Sequence, residues 1–378
     1  MHARPLFCLM LGLATACSHP DAFAYTAPDV GPYGTGSDVL LTFNPMNYWP
    51  TATADGSGVI YAFVDESEAA VPPVTQFELA QSHIHRCIGE LPVAGGTRHW
   101  EYCDNRPVNA DSLSSFTAFA MDSAGRLLYA EAVTPRRFPF DTSRSALWLA
   151  DSATPFRRTF LARLPITLAD STVNWIGGLQ WTGPSSFIAL GQQMLYAGHG
   201  INQSAVDTIF HGQVLIAGVI TGAGATLTAI PGTAGASGFA VAENGASVVF
   251  TRRDSTMLFK VPVAGGAATT ITVTPRPFMQ LTGVSCRGAT CVVSLGPLTL
   301  WRSNTEPAPP TGTGGFELRR VSLPGGDATT ILSRSTVLSS PVLTPAGDVI
   351  AQVGALYGRF QTFGGFSVGL HLYKGLVQ

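Results

Sequence analysis

Leu91-Pro92-Val93-Ala94-Gly95-Gly96-Thr97, Val261-Pro262-Val263-Ala264-Gly265-Gly266-Ala267 and Val321-Ser322-Leu323-Pro324-Gly325-Gly326-Asp327 are three versions of one phrase, set far apart in the chain. Each is a short apolar strand entering a glycine-pair turn. After the last two a threonine-rich second strand follows, Ala268-Thr269-Thr270-Ile271 and Ala328-Thr329-Thr330-Ile331. A hairpin that recurs at long range marks a repeat architecture. The composition agrees: 378 residues hold 41 glycines and 26 prolines, which suits many short strands and disfavours long helices.

Working outward, six units show a polar-glycine turn followed by an apolar strand. The turns are Asp55-Gly56-Ser57-Gly58, Asp122-Ser123-Ala124-Gly125-Arg126, Thr182-Gly183-Pro184-Ser185-Ser186, Glu243-Asn244-Gly245-Ala246, Arg287-Gly288-Ala289 and Pro345-Ala346-Gly347-Asp348. A second hairpin follows each, as in Ala146–Ala150 and Gly212–Ile216. Two hairpins make a four-stranded antiparallel sheet, one blade of a β-propeller. Leu258-Phe259-Lys260-Val261 in the fourth unit corresponds to Leu372-Tyr373-Lys374-Gly375 in the sixth, so the sixth unit lacks its fourth strand. Asp38-Val39-Leu40-Leu41-Thr42-Phe43 has no other partner and is expected to supply it, closing the ring and covering two open edges. The reading is an all-β, six-bladed β-propeller over 38–378; seven blades would require a unit hidden in Thr134–Asp170 or Ala197–Gly238.

Leu343-Thr344-Pro345-Ala346-Gly347-Asp348-Val349-Ile350-Ala351 is similar to the S-P-D-G-x-x-I-x-F signature of TolB-like repeats, and Val241-Ala242-Glu243-Asn244-Gly245 echoes it. The chain thus resembles six-bladed propellers of bacterial envelopes. The resemblance covers the blades only, because the amino-terminal α/β domain of TolB has no counterpart here.

Residues 1–24 read as an export signal: Met1-His2-Ala3-Arg4 is a short positive region, and Leu6–Ala16 is apolar but too short to span a bilayer. Leu13-Ala14-Thr15-Ala16-Cys17 resembles a bacterial lipobox, with Cys17 as the lipidated residue and Ala14 where leucine is usual. Ala22-Phe23-Ala24 is the competing A-x-A site, which would give a secreted protein. Residues 25–37 read as a tether, and membrane contact is expected through the lipid anchor alone. In an exported chain the remaining cysteines, Cys87, Cys103, Cys286 and Cys291, read as disulfides. Cys87 and Cys103 lie equidistant from Gly95, and Cys286 and Cys291 are symmetric about Gly288-Ala289. Zinc is the competing reading, although neither pair has C-x-x-C spacing.

A net charge of −2 gives no basic stripe for nucleic acid. The connections from the first hairpin of a unit to the second are long at Asp65–Arg86, Thr134–Ser145, Tyr196–His211, Arg302–Gly315 and Tyr357–Val368, and all emerge on one face of a propeller. Binding residues concentrate on loops held by a rigid scaffold. Arg136, Arg137, Phe138 and Phe140 are the candidate partner-binding residues there. The alternative reading of that loop is a solvated one with its aromatics tucked beneath it.

His83 and His85, with Glu78, Glu90 and His99 nearby, have no recognised ligand spacing and read as structural. The tryptophans at 49, 100, 148, 175, 181 and 301 read as wedges between blades. Asn202-Gln203-Ser204 is a formal glycosylation triplet without meaning in a bacterial host. There is no nucleophile elbow, P-loop or dinucleotide fingerprint, so no cofactor is expected. An outer-membrane barrel is disfavoured by the short strands. The expected function is that of a monomeric, non-catalytic envelope lipoprotein, facing the periplasm or displayed at the surface, that binds a protein or glycan on its long-loop face. The alternative is an enzyme of the six-bladed lactonase or sugar-dehydrogenase type with a metal or quinone in the channel. Such a site needs converging side chains, for which Asp122, Glu243 and Asp254 are the nearest acids.

Overall fold

The computed structural model describes residues 30–33, 37–42, 48–64, 86–103, 112–135, 144–151, 157–168, 171–199, 205–222, 224–252, 255–273, 279–297, 315–334, 337–356 and 366–377. They form the expected six-bladed propeller. Blade 1 runs from the axis outward as β3 (Tyr48–Ala52), β4 (Gly58–Val64), β5 (Arg86–Pro92) and β6 (Trp100–Cys103). Blade 2 is β7 (Ser112–Met121), β8 (Arg126–Pro135), β9 (Arg144–Asp151) and β10 (Arg158–Leu164). A small hairpin, β11 (Ile166–Leu168) and β12 (Ser171–Val173), leads to blade 3: β13 (Trp175–Gly183), β14 (Ser186–His199), β15 (Ala205–Thr221) and β16 (Gly224–Ala229). Blade 4 is β17 (Ala236–Ala242), β18 (Ser247–Arg252), β19 (Met257–Pro262) and β20 (Thr269–Thr272). Blade 5 is β21 (Met279–Arg287), β22 (Thr290–Pro297), β23 (Phe316–Ser322) and β24 (Ala328–Arg334). Blade 6 is β25 (Val337–Leu343), β26 (Val349–Leu356) and β27 (Phe366–Tyr373), completed by β2 (Asp38–Thr42) and β1 (Val30–Tyr33). The innermost strands touch in series, β3 to β7, β13, β17, β21, β25 and back to β3, so the ring is closed. Neither stretch considered for a seventh blade holds one: their described strands belong to blades 2, 3 and 4 and the β11–β12 hairpin.

The second strand of every blade is an apolar run because it is buried on both faces. Val59, Tyr61 and Phe63 face blade 6, while Ile60 and Ala62 face blade 2. Six apolar clusters result, one in each gap between blades. Ring closure takes the predicted form. Asp38, Val39 and Leu40 pair with Tyr373, Leu372 and His371, and Leu41 and Thr42 are fully buried. Asp38 also accepts from His371 Nδ1 at 3.0 Å and lies 3.5 Å from the Arg334 guanidinium. Val30–Tyr33, inside the stretch read as a tether, pairs with β2 as a fifth strand. Its Pro32 lacks an N–H, which an edge strand tolerates.

The first turns of blades 1, 2 and 6 share one design. A Thr or Asp side chain holds the loop, and a glycine in the left-handed region closes it: Gly56 at φ 74°, Gly125 at 78° and Gly347 at 80°. In blade 1 the Thr53 hydroxyl donates to Asp55, as do the N–H and hydroxyl of Ser57, and these bonds hold the Asp55 carboxyl down at about 2. Both disulfides form as expected, Cys87–Cys103 and Cys286–Cys291, between residues directly opposite in register. The tryptophan expectation needs one correction. Trp181 does pack in the gap between blades 2 and 3, but Trp49 is 47% exposed. The wedges are mostly Phe, Leu, Ile, Val and Tyr on the second strands.

Two measurements test these contacts. Cys87 and Cys103 are 16 residues apart, so replacing both with alanine should cost about 3 kcal/mol in urea denaturation. Tyr373 is nearly fully buried at the closure; burial first, then the Asp38 charge, pushes its phenol up to about 12. The unfolded chain gives up this proton near pH 10. Stability is therefore whole below pH 10 and falls by about 1.4 kcal/mol per pH unit from there to the folded value. Tyr373→Phe should remove that part of the alkaline loss, as read from denaturation midpoints across pH 9–12.

Candidate functional site

The two faces of the ring differ. On the face of the tight first turns, blades are tied to one another, both neighbours and, through Arg287, blades 5 and 1 on either side of blade 6. The Arg126 guanidinium donates to Pro184 O, the Glu243 N–H to Gly288 O at 2.7 Å, and Arg287 reaches Ala54 O at 3.2 Å, from blade 5 to blade 1. A Cβ on Gly56 would sit 2.3 Å from Pro345, and one on Gly245 would sit 2.9 Å from Thr182 O. Two acids weighed for catalysis are committed here. Asp122 holds its own turn and Arg126. Glu243 accepts from Lys260 and Ser247, both at 2.7 Å, with Lys260 first in lowering its pKa.

Toward the opposite face the channel wall changes character. Every innermost strand carries a bulge set back from its tight-turn end. The extra residue is Thr117 in β7, Gly177 in β13, Ser237 in β17 and Thr282 in β21. In β3 and β25 the pairs Trp49-Pro50 and Ser340-Pro341 each oppose one residue, with Trp49 at φ 53° and Ser340 at φ 46°. Non-glycine residues rarely adopt that conformation, and proline restricts the residue before it further. Behind the bulges stands a polar second-strand residue: Ser237 bonds Thr251 at 3.0 Å, and Thr282 donates to Ser294 at 2.8 Å. Gln192 lies where a Cβ on Gly177 would be. Glu131 pairs with Phe116, and Gln352 with Ser339.

This polar level was not anticipated from the sequence, yet it leaves a signal. The phrases Phe116-Thr117-Ala118-Phe119, Ile176-Gly177-Gly178-Leu179, Ala236-Ser237-Gly238-Phe239 and Leu281-Thr282-Gly283-Val284 are the same bulge repeated. Small residues follow the bulge because the next blade comes close. A Cβ on Gly178 would be 3.1 Å from Phe239, and one on Gly283 2.8 Å from Pro341.

Apart from Arg287 at the tight-turn end, the six channel strands carry no Asp, Glu, Lys, Arg or His. The buried carboxylate nearest the bulges, Glu131, is engaged by Arg158 at 3.1 Å. Arg158 also reaches Tyr102 and Tyr129 and stacks on Trp148, and burial pushes the Tyr129 phenol up. Glu90 and His99, weighed as metal companions, meet each other at 3.2 Å, and Trp100 Nε1 donates to Glu90 at 2.7 Å. Among the described residues no three of His, Cys, Asp and Glu gather to hold a metal ion. The channel strands present hydroxyls and amides rather than carboxylates or imidazoles.

The described residues of the Tyr196–His211 connection, expected as a loop, are strand. β14 and β15 continue past the ends of β13 and β16 and pair with each other from Gln193↔His211 to His199↔Ala205. They form a two-stranded arm on the long-loop side, and β12 packs at its base, with Val173 beside Gly191. Cys17, His83, His85, Trp301, Asp254 and the candidate loop residues Arg136, Arg137, Phe138 and Phe140 lie outside the described residues. No described helix is long and apolar enough to cross a membrane.

No protein-family model and no curated protein sequence matches the chain. Solved structures do. Trypanosoma rangeli sialidase superposes with a TM-score of 0.54 at 9% identity, over 92% of this chain and 57% of the sialidase. This chain therefore spans little more than half the length of that enzyme. TolB from Acinetobacter baumannii matches at TM-score 0.46 and 11% identity, over 86% and 65% of the two chains. A gluconolactonase from Xanthomonas campestris matches at 0.48 and 12%, over 89% and 90%. The class defined by fold and topology is the six-bladed β-propeller, with TolB among the structural neighbours, and the likeness is one of fold.

A packing test follows from the bulges. Gly283→Ala should force blades 5 and 6 apart and cost about 1–3 kcal/mol by thermal or urea denaturation. The corresponding residue of blade 2, Ala118, shows that a methyl is accepted where the neighbouring blade leaves room.

Proposed function

We propose that the protein is a non-catalytic binding module of the bacterial envelope, anchored through Cys17, which holds its partner on the long-loop face. The observation that carries this reading is the asymmetry of the ring. The tight-turn face spends its polar groups on ties between blades, while the bulges are set back from that face and the β14–β15 arm extends from the other one. Rigid blades that present irregular backbone at one end are the usual arrangement of a binding scaffold. The enzymatic alternative draws less support, because the channel strands lack the carboxylates and histidines that a metal-dependent reaction requires. Export fits the two disulfides.

Crosslinking in the native envelope, followed by affinity purification of the full chain, tests the reading. A stable crosslinked partner is expected. It should be lost when Met194–Phe210 is replaced by a two-residue turn, and separately when Arg136, Arg137, Phe138 and Phe140 are all changed to serine. Substitutions on the tight-turn face, such as Lys260→Ser, should leave it in place. A partner retained by both loop variants and lost by Lys260→Ser would reverse the assignment of faces. Cys17→Ser should release the protein from membranes, and unchanged membrane association would remove the anchor from the proposal.

A further inference from the structure

The two disulfides stand at different kinds of place. Cys87–Cys103 closes a loop of 16 residues and holds the four-residue rim strand β6, which is a folding task. Cys286 and Cys291 are only five residues apart, on either side of the Gly288-Ala289 turn, where Gly288 takes φ 56°. A two-residue hairpin turn fixes the register of its strands by itself. The entropy that a cross-link removes from the unfolded chain also falls as its loop shortens. Folding therefore gains less from this second bond.

What the bond adjoins is the point where ties across the tight-turn face converge. Ser285 Oγ accepts from the Leu343 N–H of blade 6 at 3.0 Å. Gly288 O accepts from the Glu243 N–H of blade 4 at 2.7 Å, and Ala289 O from the Leu323 N–H at 2.9 Å. Arg287 donates to Ala54 O of blade 1 at 3.2 Å. Three other blades are thus tied to residues 285–288. In blades 1, 2 and 6 a Thr or Asp side chain holds the first turn, and in blade 5 a covalent bond stands at its base. Cys291 is fully buried and Cys286 partly so, both against the apolar cluster between blades 4 and 5. Two thiols need more room than the bond that joins them, and a close-packed interior gives that room only by moving its walls. The adjoining turn, exposed at Arg287 and Ala289, is the part of the wall that can move.

We propose that Cys286–Cys291 is a redox-sensitive clamp: opening it displaces the blade 5 turn and loosens its ties to blades 1, 4 and 6, while the propeller stays folded. The reductant is a dithiol. One of its thiolates attacks the sulfur of Cys286, the more exposed partner, and forms a mixed disulfide. Cys291 leaves as a thiolate and takes up a proton. The second thiol of the reductant then resolves the mixed disulfide and frees Cys286. Two electrons and two protons reach the protein, and the reductant ends as its own disulfide. The long-loop face and its partner take no part in this step.

The test is a dithiothreitol titration of the folded full chain, with alkylation of free thiols and peptide mass spectrometry. Cys286 and Cys291 should become alkylated at a reductant concentration about tenfold below that needed for Cys87 and Cys103. Hydrogen exchange at that point should rise about tenfold in the peptides containing Glu243 and Leu343. It should not change in the blade 2 turn, where the Asp122 N–H bonds Arg126 O. Cys286→Ala combined with Cys291→Ala should give the same exchange pattern without reductant and still melt in one cooperative transition. Opening of both disulfides together, opening of Cys286–Cys291 last, unchanged exchange at Glu243 and Leu343 once it is open, or a rise in exchange throughout the chain would each overturn the proposal. If the double variant does not fold, the titration of the native chain decides alone.

Discussion

The second strand of each blade is apolar on both faces, and that single constraint governs the rest of the molecule. Val59–Phe63, Phe187–Leu190 and Val248–Phe250 are all buried on both sides. A blade alone would leave two such faces bare, and each buried aliphatic or aromatic side chain is worth about 1.5–3 kcal/mol against exposure. The blades must therefore stack, and a stack has bare ends unless it closes on itself. Closure in turn requires a fourth strand for blade 6, which β2 brings with Leu41 and Thr42 fully buried. The polar contacts of Asp38 with His371 and Arg334 set where the strand sits, and Val39 and Leu41 are packed into the gap between blades 6 and 1.

The same constraint divides labour between the faces. Turns that meet near the axis can exchange hydrogen bonds from blade to blade, and the first turns do so through Arg126, Glu243 and Arg287. Such ties fix the relative height of the blades, which burial alone, being non-directional, leaves free to slide. Rigidity at one end releases the other from structural duty. The bulges can then place extra backbone and side chains at the opposite end without loosening the ring, because each bulge is backed by its own second strand, as Ser237 is by Thr251 and Thr282 by Ser294.

What could be read from the sequence follows the same physics. Apolar second strands and glycine turns recur because every blade meets identical demands, so Asp122–Tyr129 and Glu243–Phe250 announce their structure locally. The cysteine pairs were legible because a hairpin fixes register by counting from its turn. β1 was not legible: Val30-Gly31-Pro32-Tyr33 has a linker's composition and becomes a strand only because β2 presents an open edge. The β14–β15 arm was hidden similarly, since Tyr196–His211 read as a long connection and its strands owe their length to each other. Trp49 was misread as a wedge because its backbone conformation, set by the bulge and Pro50, was not visible in residue type. The bulges had a repeated signature, but glycine or serine inside a strand is equally the mark of a close approach, and only the register separates the two.

Conserving a bulge's position while varying its residue shows which part is architectural. All six blades bend at this level, which the narrowing of a ring toward its axis explains, and Gly178 and Gly283 show how closely neighbouring blades meet there. Architecture would be satisfied by glycine or alanine at each site. Blades 2, 4 and 5 instead carry hydroxyls, and blades 1 and 6 carry strained residues before proline. An unpaired buried hydroxyl such as that of Thr117 costs about 1–3 kcal/mol relative to a satisfied one, and a left-handed tryptophan adds a comparable strain. A ring selected for stability alone would shed both costs with single substitutions. Both costs fall on channel strands, Thr117 on β7 and Trp49 on β3, where the ring's geometry sets the backbone and the sequence supplies a costlier residue than that geometry needs.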